Sequence, residues 1–497
     1  MLLSDLLSAL SDYRVIGNAG IEVKGLAENS KKVDKGSLFV CMRGTRDDGH
    51  RYVREAVERG AAVLVSERPA SAYRDLPQVI VPNPRQALAR LADRFYGSPS
   101  RSLKVIGVTG TNGKTTTTYL IEAILKHARH KTAVVGTIAY RLGKKTLPSP
   151  NTTPSSLELQ RLMAQMVAGK FRWLVMEVSS HALDQGRVES CEFEAAVFTN
   201  LTQDHLDYHH SMREYLQAKA RLFQLIEQGA QKGRKKLAIF NADDNASVYL
   251  KKFCGHAASL TYGFHASAQV RALNWKLTTS GISFLAVTPW GRRRFELSLL
   301  GKVNIWNALA AIATCGSLGV SLPLMQAALQ RIPLVPGRFE KVPYPKGVTV
   351  VVDYAHTPDA LAKLLDSARE LCKGRLLLVF GCGGNRDRTK RPLMGEIASQ
   401  KSDLCLITSD NPRDEDPLFI MKEIEKGIVP ACRQKKAYEM VVDRRQAIGR
   451  ALSLAHKNDL VLIAGKGHEA TQTTGKTVAA FSDQAVVKQF ARKNKNS

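Results

Sequence analysis

Seven runs of five or six mostly apolar residues, at 104–109, 173–178, 195–199, 348–353, 376–380, 404–408 and 459–464, each pass directly into a polar or glycine-bearing segment. Helix-length amphipathic stretches separate them. Short near-continuous Val/Ile/Leu runs of this kind are the signature of parallel strands buried on both faces, so the class is α/β. Ligands of open α/β sheets bind outside the carboxyl ends of the strands, which makes the seven trailing segments the places where chemistry is expected.

At 497 residues the chain exceeds what one hydrophobic core supports, and about three domains are expected. Breaks at Tyr96-Gly97-Ser98-Pro99-Ser100 and Ile332-Pro333-Leu334-Val335-Pro336-Gly337 give units 1–97, 98–335 and 336–497. The apolar stretch 303–320 is interrupted by Asn304, Asn307, Thr314 and Ser317, so no window spans a bilayer. The first residues lack the basic and apolar regions of a signal peptide, so a cytoplasmic location with no membrane insertion is expected. None of the eight cysteines forms a C-x-x-C pair, which suggests neither a zinc site nor a dense disulfide framework.

Lys and Arg total 72 against 45 Asp and Glu, a net +27, which points to anionic partners. The basic residues are spread along the chain, with short clusters at Arg292-Arg293-Arg294, Arg234-Lys235-Lys236 and 493–496. None is interleaved with aromatics, which are 7% of the chain. Small anionic ligands are therefore favoured over nucleic acid.

Gly107-Val108-Thr109-Gly110-Thr111-Asn112-Gly113-Lys114-Thr115-Thr116 follows an apolar run and opens a helix through 119–127. Backbone N–H groups of such a loop cradle phosphates at a helix N-terminus. Lys114 reaches the β/γ phosphates, and a Thr115 or Thr116 hydroxyl is a ligand for Mg²⁺. The spelling departs from G-x-x-x-x-G-K-[ST], with Val108 at the first glycine position.

Glu177 ends an apolar run, where a charge needs a partner, either Mg²⁺ or a salt bridge. Asp204-His205-Leu206-Asp207-Tyr208-His209-His210 is either a second ligand set or an ordinary polar loop. On pattern alone Lys219 reads as a solvated helix lysine. In the last third, Gly381-Cys382-Gly383-Gly384-Asn385-Arg386-Asp387-Arg388, Asp410-Asn411-Pro412-Arg413 and Gly465-Lys466-Gly467-His468-Glu469 put guanidinium groups and carboxylates at three strand ends. Together they suit a zwitterionic amino acid, the alternative being surface ion pairing.

These segments, with Asn151-Thr152-Thr153-Pro154, Glu177-Val178-Ser179-Ser180-His181, Asn200-Leu201-Thr202-Gln203-Asp204-His205, 215–223, 304–311, Pro336-Gly337-Arg338 and Asp353-Tyr354-Ala355-His356-Thr357-Pro358-Asp359, resemble the Mur ligases in order and spacing over nearly the whole chain. These are the ATP-dependent amino-acid-adding enzymes of peptidoglycan synthesis. The resemblance implies three domains: an N-terminal uridine-nucleotide domain, a central P-loop-like ATPase with a mostly parallel sheet, and a Rossmann-like C-terminal domain that brings the amino acid.

It further implies UDP-MurNAc-L-Ala-D-Glu as acceptor, with Ser30 at the uridine and Asn151, Thr152, Thr153, Ser179, Gln185 and Arg187 on the muramoyl dipeptide. By the same resemblance Thr115 and Glu177 hold one Mg²⁺, and His205 with a carbamylated Lys219 a second. Asn304, Arg338, Asp353 and His356 complete the ATP contacts, and a monomer is expected. The D-Glu carboxylate attacks the γ-phosphoryl to give an acyl phosphate and ADP, and the incoming amine then displaces phosphate.

The Asp410-Asn411-Pro412-Arg413 spelling resembles the branch adding meso-diaminopimelate, with Arg386, Gly465 and Glu469 completing the pocket. That amino acid differs from L-lysine by one distal carboxylate, so a selective site needs a cation. Arg413 is the candidate, unless it merely pairs with Asp414 or Glu415. The alternatives are the same ligase adding L-lysine, a folate-extending relative, or a basic P-loop ATPase acting on nucleic acid.

Overall fold

The computed structural model describes residues 1–44, 48–228, 236–278, 280–332, 334–435 and 437–493. Pro333 of the second break, Arg234 and Lys235 of one basic cluster, and 494–496 of the tail lie outside the described residues.

Three sheets organise the chain. The first has the order Arg14–Ile16, Gln78–Ile80, Ala61–Ser66, Ser37–Val40, Gly25–Ala27, parallel apart from its first strand. The second has 11 strands around a parallel core of Ala258–Gly263, Leu237–Asn241, Phe193–Phe198, Lys104–Thr109, Trp173–Glu177 and Thr132–Val135. Antiparallel hairpins close both of its ends. The third has the order Glu340–Val342, Thr349–Asp353, Leu460–Ala464, Leu376–Phe380, Leu404–Ile407, Tyr438–Met440, antiparallel only at its first pair.

All seven apolar runs are strands, within one or two residues of the expected ends. Trp173–Glu177, Phe193–Phe198, Leu376–Phe380 and Leu460–Ala464 are buried at every position, because helices cover both faces. That is why their sequences are apolar throughout instead of alternating. The stretch beginning at Val303 is the helix Val303–Ser317, buried almost all round against the central sheet. Among the described residues no helix is long and apolar enough to cross a membrane.

One charged pair is built wholly into the third unit: Arg444 and Asp483, both fully buried, make two hydrogen bonds of 2.8 Å. Arg444 also donates to Ala464 O at the end of a central strand. Removing one partner strands a buried charge, so Asp483→Ala is expected to lower unfolding free energy by about 3–5 kcal/mol. A urea midpoint that drops with an unchanged slope checks it.

Candidate active site

The strand Lys104–Thr109 lies at the middle of the central sheet, and the loop after it leads into the helix Lys114–His127. The helix begins five residues before the expected 119. Its N-cap is Gly113, at φ +84°, and no side chain caps it. A side chain at such a φ is strained, and the first helical N–H groups are left to serve an anion. Lys114 Nζ folds back onto Gly110 O (2.9 Å) and Thr111 O (2.8 Å). Burial pulls its pKa below the usual lysine value, against the opposing charges of Glu177 and Asp204. Asn200 braces the loop, accepting from Asn112 N at 2.9 Å and donating to Asn112 O at 3.0 Å.

Glu177, on the neighbouring strand, is buried but has no salt bridge among the described residues. Its carboxylate accepts instead from Thr115 Oγ1 (3.0 Å), Thr137 N (2.8 Å) and Thr137 Oγ1 (3.0 Å). Arg338, from the third unit, donates to Thr115 Oγ1 at 3.1 Å. Hard oxygen donors beside a phosphate loop fit Mg²⁺. Among the described residues no group of three or more His, Cys, Asp or Glu forms a complete metal cage.

His205, at φ +56°, sits 3.5 Å from Asp204 Oδ2. Its ring packs edge-on against His181 at 4.7 Å, and His181 contacts Tyr208 and His209 in turn. Burial pulls the His205 pKa down to about 3, in spite of Asp204, and keeps its imidazole neutral.

Lys219 overturns the expectation of a solvated lysine: it is 1% exposed, on the helix Met212–Gln228. Tyr215, Lys219, Leu222 and Ile226 share the buried stripe of that helix, so the spacing itself carried the signal. Its Nζ lies 4.1 Å from the Tyr215 ring centre. Burial, reinforced by Lys114 and opposed by Asp204, holds its pKa well below the lysine value. Burial thus disfavours the charged ammonium form.

A cavity of about 1100 Å³ runs between the central and third sheets. It is lined by the phosphate loop from Thr111 to Thr116, by Glu177 and His205, and by Asn304, Arg338, Asp353 and His356. Asp353 accepts from Phe339 N (2.6 Å) and Ala355 N (2.7 Å), while burial raises its pKa against the pull of Arg338. Asn304 donates to Leu300 O, and Lys390 Nζ holds His356 O at 2.9 Å.

The cavity also reaches Asn151, Thr152, Thr153, Ser179 and Arg187. Arg187 donates to Thr153 O at 2.9 Å and twice to Gln185 Oε1, while Thr153 Oγ1 bonds Glu177 O at 2.8 Å.

Five of the expected residues do not line this cavity. Gly110 lies behind the loop with its carbonyl taken by Lys114, and Lys219 is tucked against Tyr215. Gln185 stands one layer out, bonded to Arg187 and Tyr208. Pro412 packs its carbonyl against Gly384. Ser30 is in the first unit, 5% exposed and bonded to Glu55 Oε2 at 2.6 Å.

At its far end the cavity meets Arg386, Asp410, Asn411, Arg413, Gly465 and Glu469. Arg413 pairs with neither adjacent acid. Glu415 is engaged by Arg391 through two bonds of 2.9 Å and by Arg388 at 3.0 Å, and Arg391 holds its carboxyl down to about 2. Asp414 accepts from Asn385 Nδ2 at 2.8 Å. The Arg413 guanidinium makes instead a 2.6 Å bond to Gly384 O. Asp410 Oδ2 is buried with no hydrogen-bond partner, and burial raises the Asp410 pKa against the charges of Arg444 and Lys466.

Several lining or bracing residues escaped the sequence reading. Thr137 follows the strand Thr132–Val135, whose four residues are too short a run to stand out. Lys466 is fully buried and bonds both Asn411 Oδ1 (3.1 Å) and Glu469 Oε2 (2.8 Å). Trp306 also lines the cavity, its indole N–H donating to Asp243 Oδ2 at 2.6 Å.

Comparison with known proteins places residues 22–96 in the description "Mur ligase family, catalytic domain", 108–315 in "Mur ligase middle domain" and 337–467 in "Mur ligase, glutamate ligase domain". A UDP-N-acetylmuramoyl-L-alanyl-D-glutamate–2,6-diaminopimelate ligase of Geobacillus thermodenitrificans is 45% identical over 98% of this chain and 99% of its own. The Geobacter sulfurreducens protein of that name is 44% identical over 97% of each. A solved structure with the same name is 30% identical, covers 100% of both chains and superposes with a TM-score of 0.70.

Proposed function

The chain belongs to the Mur ligase family, and we propose that it adds meso-diaminopimelate to the D-glutamate of UDP-MurNAc-L-Ala-D-Glu through an acyl phosphate. It is an ATP-dependent, ADP-forming ligase of peptidoglycan synthesis. Relatives above 40% identity across the full length carry the diaminopimelate name, and no comparison favours the L-lysine or nucleic-acid alternatives.

The observation that carries the amino-acid assignment is an arginine facing the cavity with its neighbouring acids already consumed. Arg413 is then the cation for the distal carboxylate. Asp410 Oδ2 and the oxygen of Glu469 not bonded to Lys466 are the acceptors for an ammonium group.

In the ATP half, the free N–H groups of the Gly113–Thr116 turn bind phosphate, and Lys114 exchanges its two carbonyl partners for the γ-phosphoryl oxygens. Thr115 and Glu177 would hold one Mg²⁺ and His205 with a carbamylated Lys219 a second, and these ions would supply charge neutralisation when bound. Arg187 and Thr153 orient the muramoyl dipeptide so that its carboxylate meets the γ-phosphorus in line. Arg338, Asp353 and His356 come from the third unit onto the same cavity, so the acyl phosphate forms where water is excluded. The breaks near Gly97 and Val335 are the proposed hinges, and the N-terminal unit with Ser30 is the proposed uridine site.

Amino-acid-dependent ADP release with the UDP-muramoyl dipeptide tests this reading. Strong preference for meso-diaminopimelate over L-lysine is expected, up to about 10⁴-fold, since the half-buried Arg413 cation is left without its carboxylate partner when lysine binds. Arg413→Ala is expected to collapse that preference mainly through lost diaminopimelate activity. Comparable kcat/KM for the two amino acids would overturn the assignment.

A further inference from the structure

We propose that the hairpin formed by Thr471–Thr474 and Thr477–Ala480 is a strap that sets amino-acid preference by fixing the backbone beneath Arg413; this rests on the amino-acid assignment above. The hairpin is a two-stranded sheet of its own, joined to none of the three large sheets. Its outer strand is exposed along its whole length. The inner side nevertheless makes five hydrogen bonds to four residues of one loop, the longest from Gln472 Nε2 to Ser409 Oγ at 3.5 Å. Gln472 Nε2 donates to Asp410 O (2.7 Å) and Thr473 N to Asn411 Oδ1 (3.0 Å). Arg413 N donates to Thr473 O (3.1 Å), and Gly475 N donates to Arg413 O (2.6 Å).

Arg413 has φ +52°, a left-handed conformation that is unfavourable for a non-glycine residue and persists only where its surroundings impose it. Both of its own backbone hydrogen-bonding groups end on the hairpin, so the hairpin is what imposes it. Released, the residue relaxes toward extended backbone and its guanidinium swings off Gly384 O and out of line with the cavity. The strap also orients Asn411, whose Oδ1 accepts from both Thr473 N and Lys466 Nζ while its Nδ2 donates to Glu469 Oε2 at 2.8 Å. Asn411 is thus spent on positioning Glu469, the acid at the ammonium end. Arg413 is the substrate-binding residue here; Gln472, Thr473 and Gly475 are positioning residues.

Gly475→Pro tests the strap. It removes the N–H donated to Arg413 O, and proline cannot adopt the φ of +56° found there, while no heavy atom lies within 4 Å of an added Cβ. Gln472→Ala leaves the backbone alone and keeps the test standing if the proline variant does not fold. In the ADP-release assay both are expected to raise KM for meso-diaminopimelate, the proline variant by about tenfold, with kcat and KM for ATP held within about twofold. The loss caused by Arg413→Ala is expected to shrink by the same factor on the Gly475→Pro background, a coupling that general damage to the fold would not produce. An unchanged KM for meso-diaminopimelate in the folded variants, or additive losses with Arg413→Ala, overturns the strap. The unmutated protein is assayed alongside: absence of preference there defeats the amino-acid assignment and the strap with it, whereas a preference that is undiminished in both variants defeats the strap alone.

Discussion

Replacing Lys114 by alanine is expected to lower ADP release by at least about a thousandfold, the loss of roughly 4 kcal/mol that follows when a preorganised charge is taken from a developing phosphoryl transition state. The ammonium has no salt bridge among the described residues. It is parked on two loop carbonyls, Gly110 O and Thr111 O, at a pKa depressed by burial. An arriving triphosphate reverses that depression, because four negative charges replace two carbonyl dipoles as its partners. Alanine favours the first helical turn as well as lysine does, and the loop keeps its Asn200 and Thr199 braces, so folding should be unaffected. Near-normal ADP release by a folded Lys114→Ala protein would defeat the phosphate-loop assignment.

Lys219→Ala is expected to be nearly as inactive, although this side chain does not line the cavity. Lys219 is 1% exposed, lies against an aromatic ring and has no salt bridge among the described residues, and its burial disfavours the ammonium relative to the free amine. The free amine is the form that attacks carbon dioxide: a C–N bond forms, one proton leaves, and the product is an anionic carbamate. On Lys219 such a group would supply oxygen ligands for Mg²⁺, which a cation would repel. The alanine variant should unfold at a similar urea concentration, because the side chain removed was itself costly to bury. Short carboxylic acids added to the assay are expected to restore part of the activity by supplying the missing oxygens. An active, nucleotide-bound crystal whose Lys219 nitrogen carries no extra atoms would refute the carbamate.

Much of the scaffold was legible because it is written in short-range order. Runs such as Leu376–Phe380 are apolar at every position because both sheet faces are covered, and each ends at the residue where the sheet ends. The glycine-rich turn after Lys104–Thr109 announced a phosphate site because loop, lysine and helix start are contiguous. Lys219 was legible too, in principle, since its spacing from Tyr215, Leu222 and Ile226 places it on the buried stripe. A charged residue on an apolar face was there to be read as buried, and residue type was allowed to outweigh period.

The amino-acid sequence by itself determined the strands, the phosphate turn and the order of the motifs, because each depends on neighbours within one element. Only the tertiary structure decided which acids each arginine meets. Glu415 stands two residues from Arg413, yet it binds Arg391, 24 residues away, and leaves Arg413 facing the cavity. Lys466 closes on Asn411 across 55 positions, and Arg413, at φ +52°, hydrogen-bonds the hairpin at 471–480 through both its N–H and its carbonyl. A charge takes the partner that costs least desolvation, and that partner is fixed by which strand ends the sheets bring together, a distance that separation along the chain does not encode.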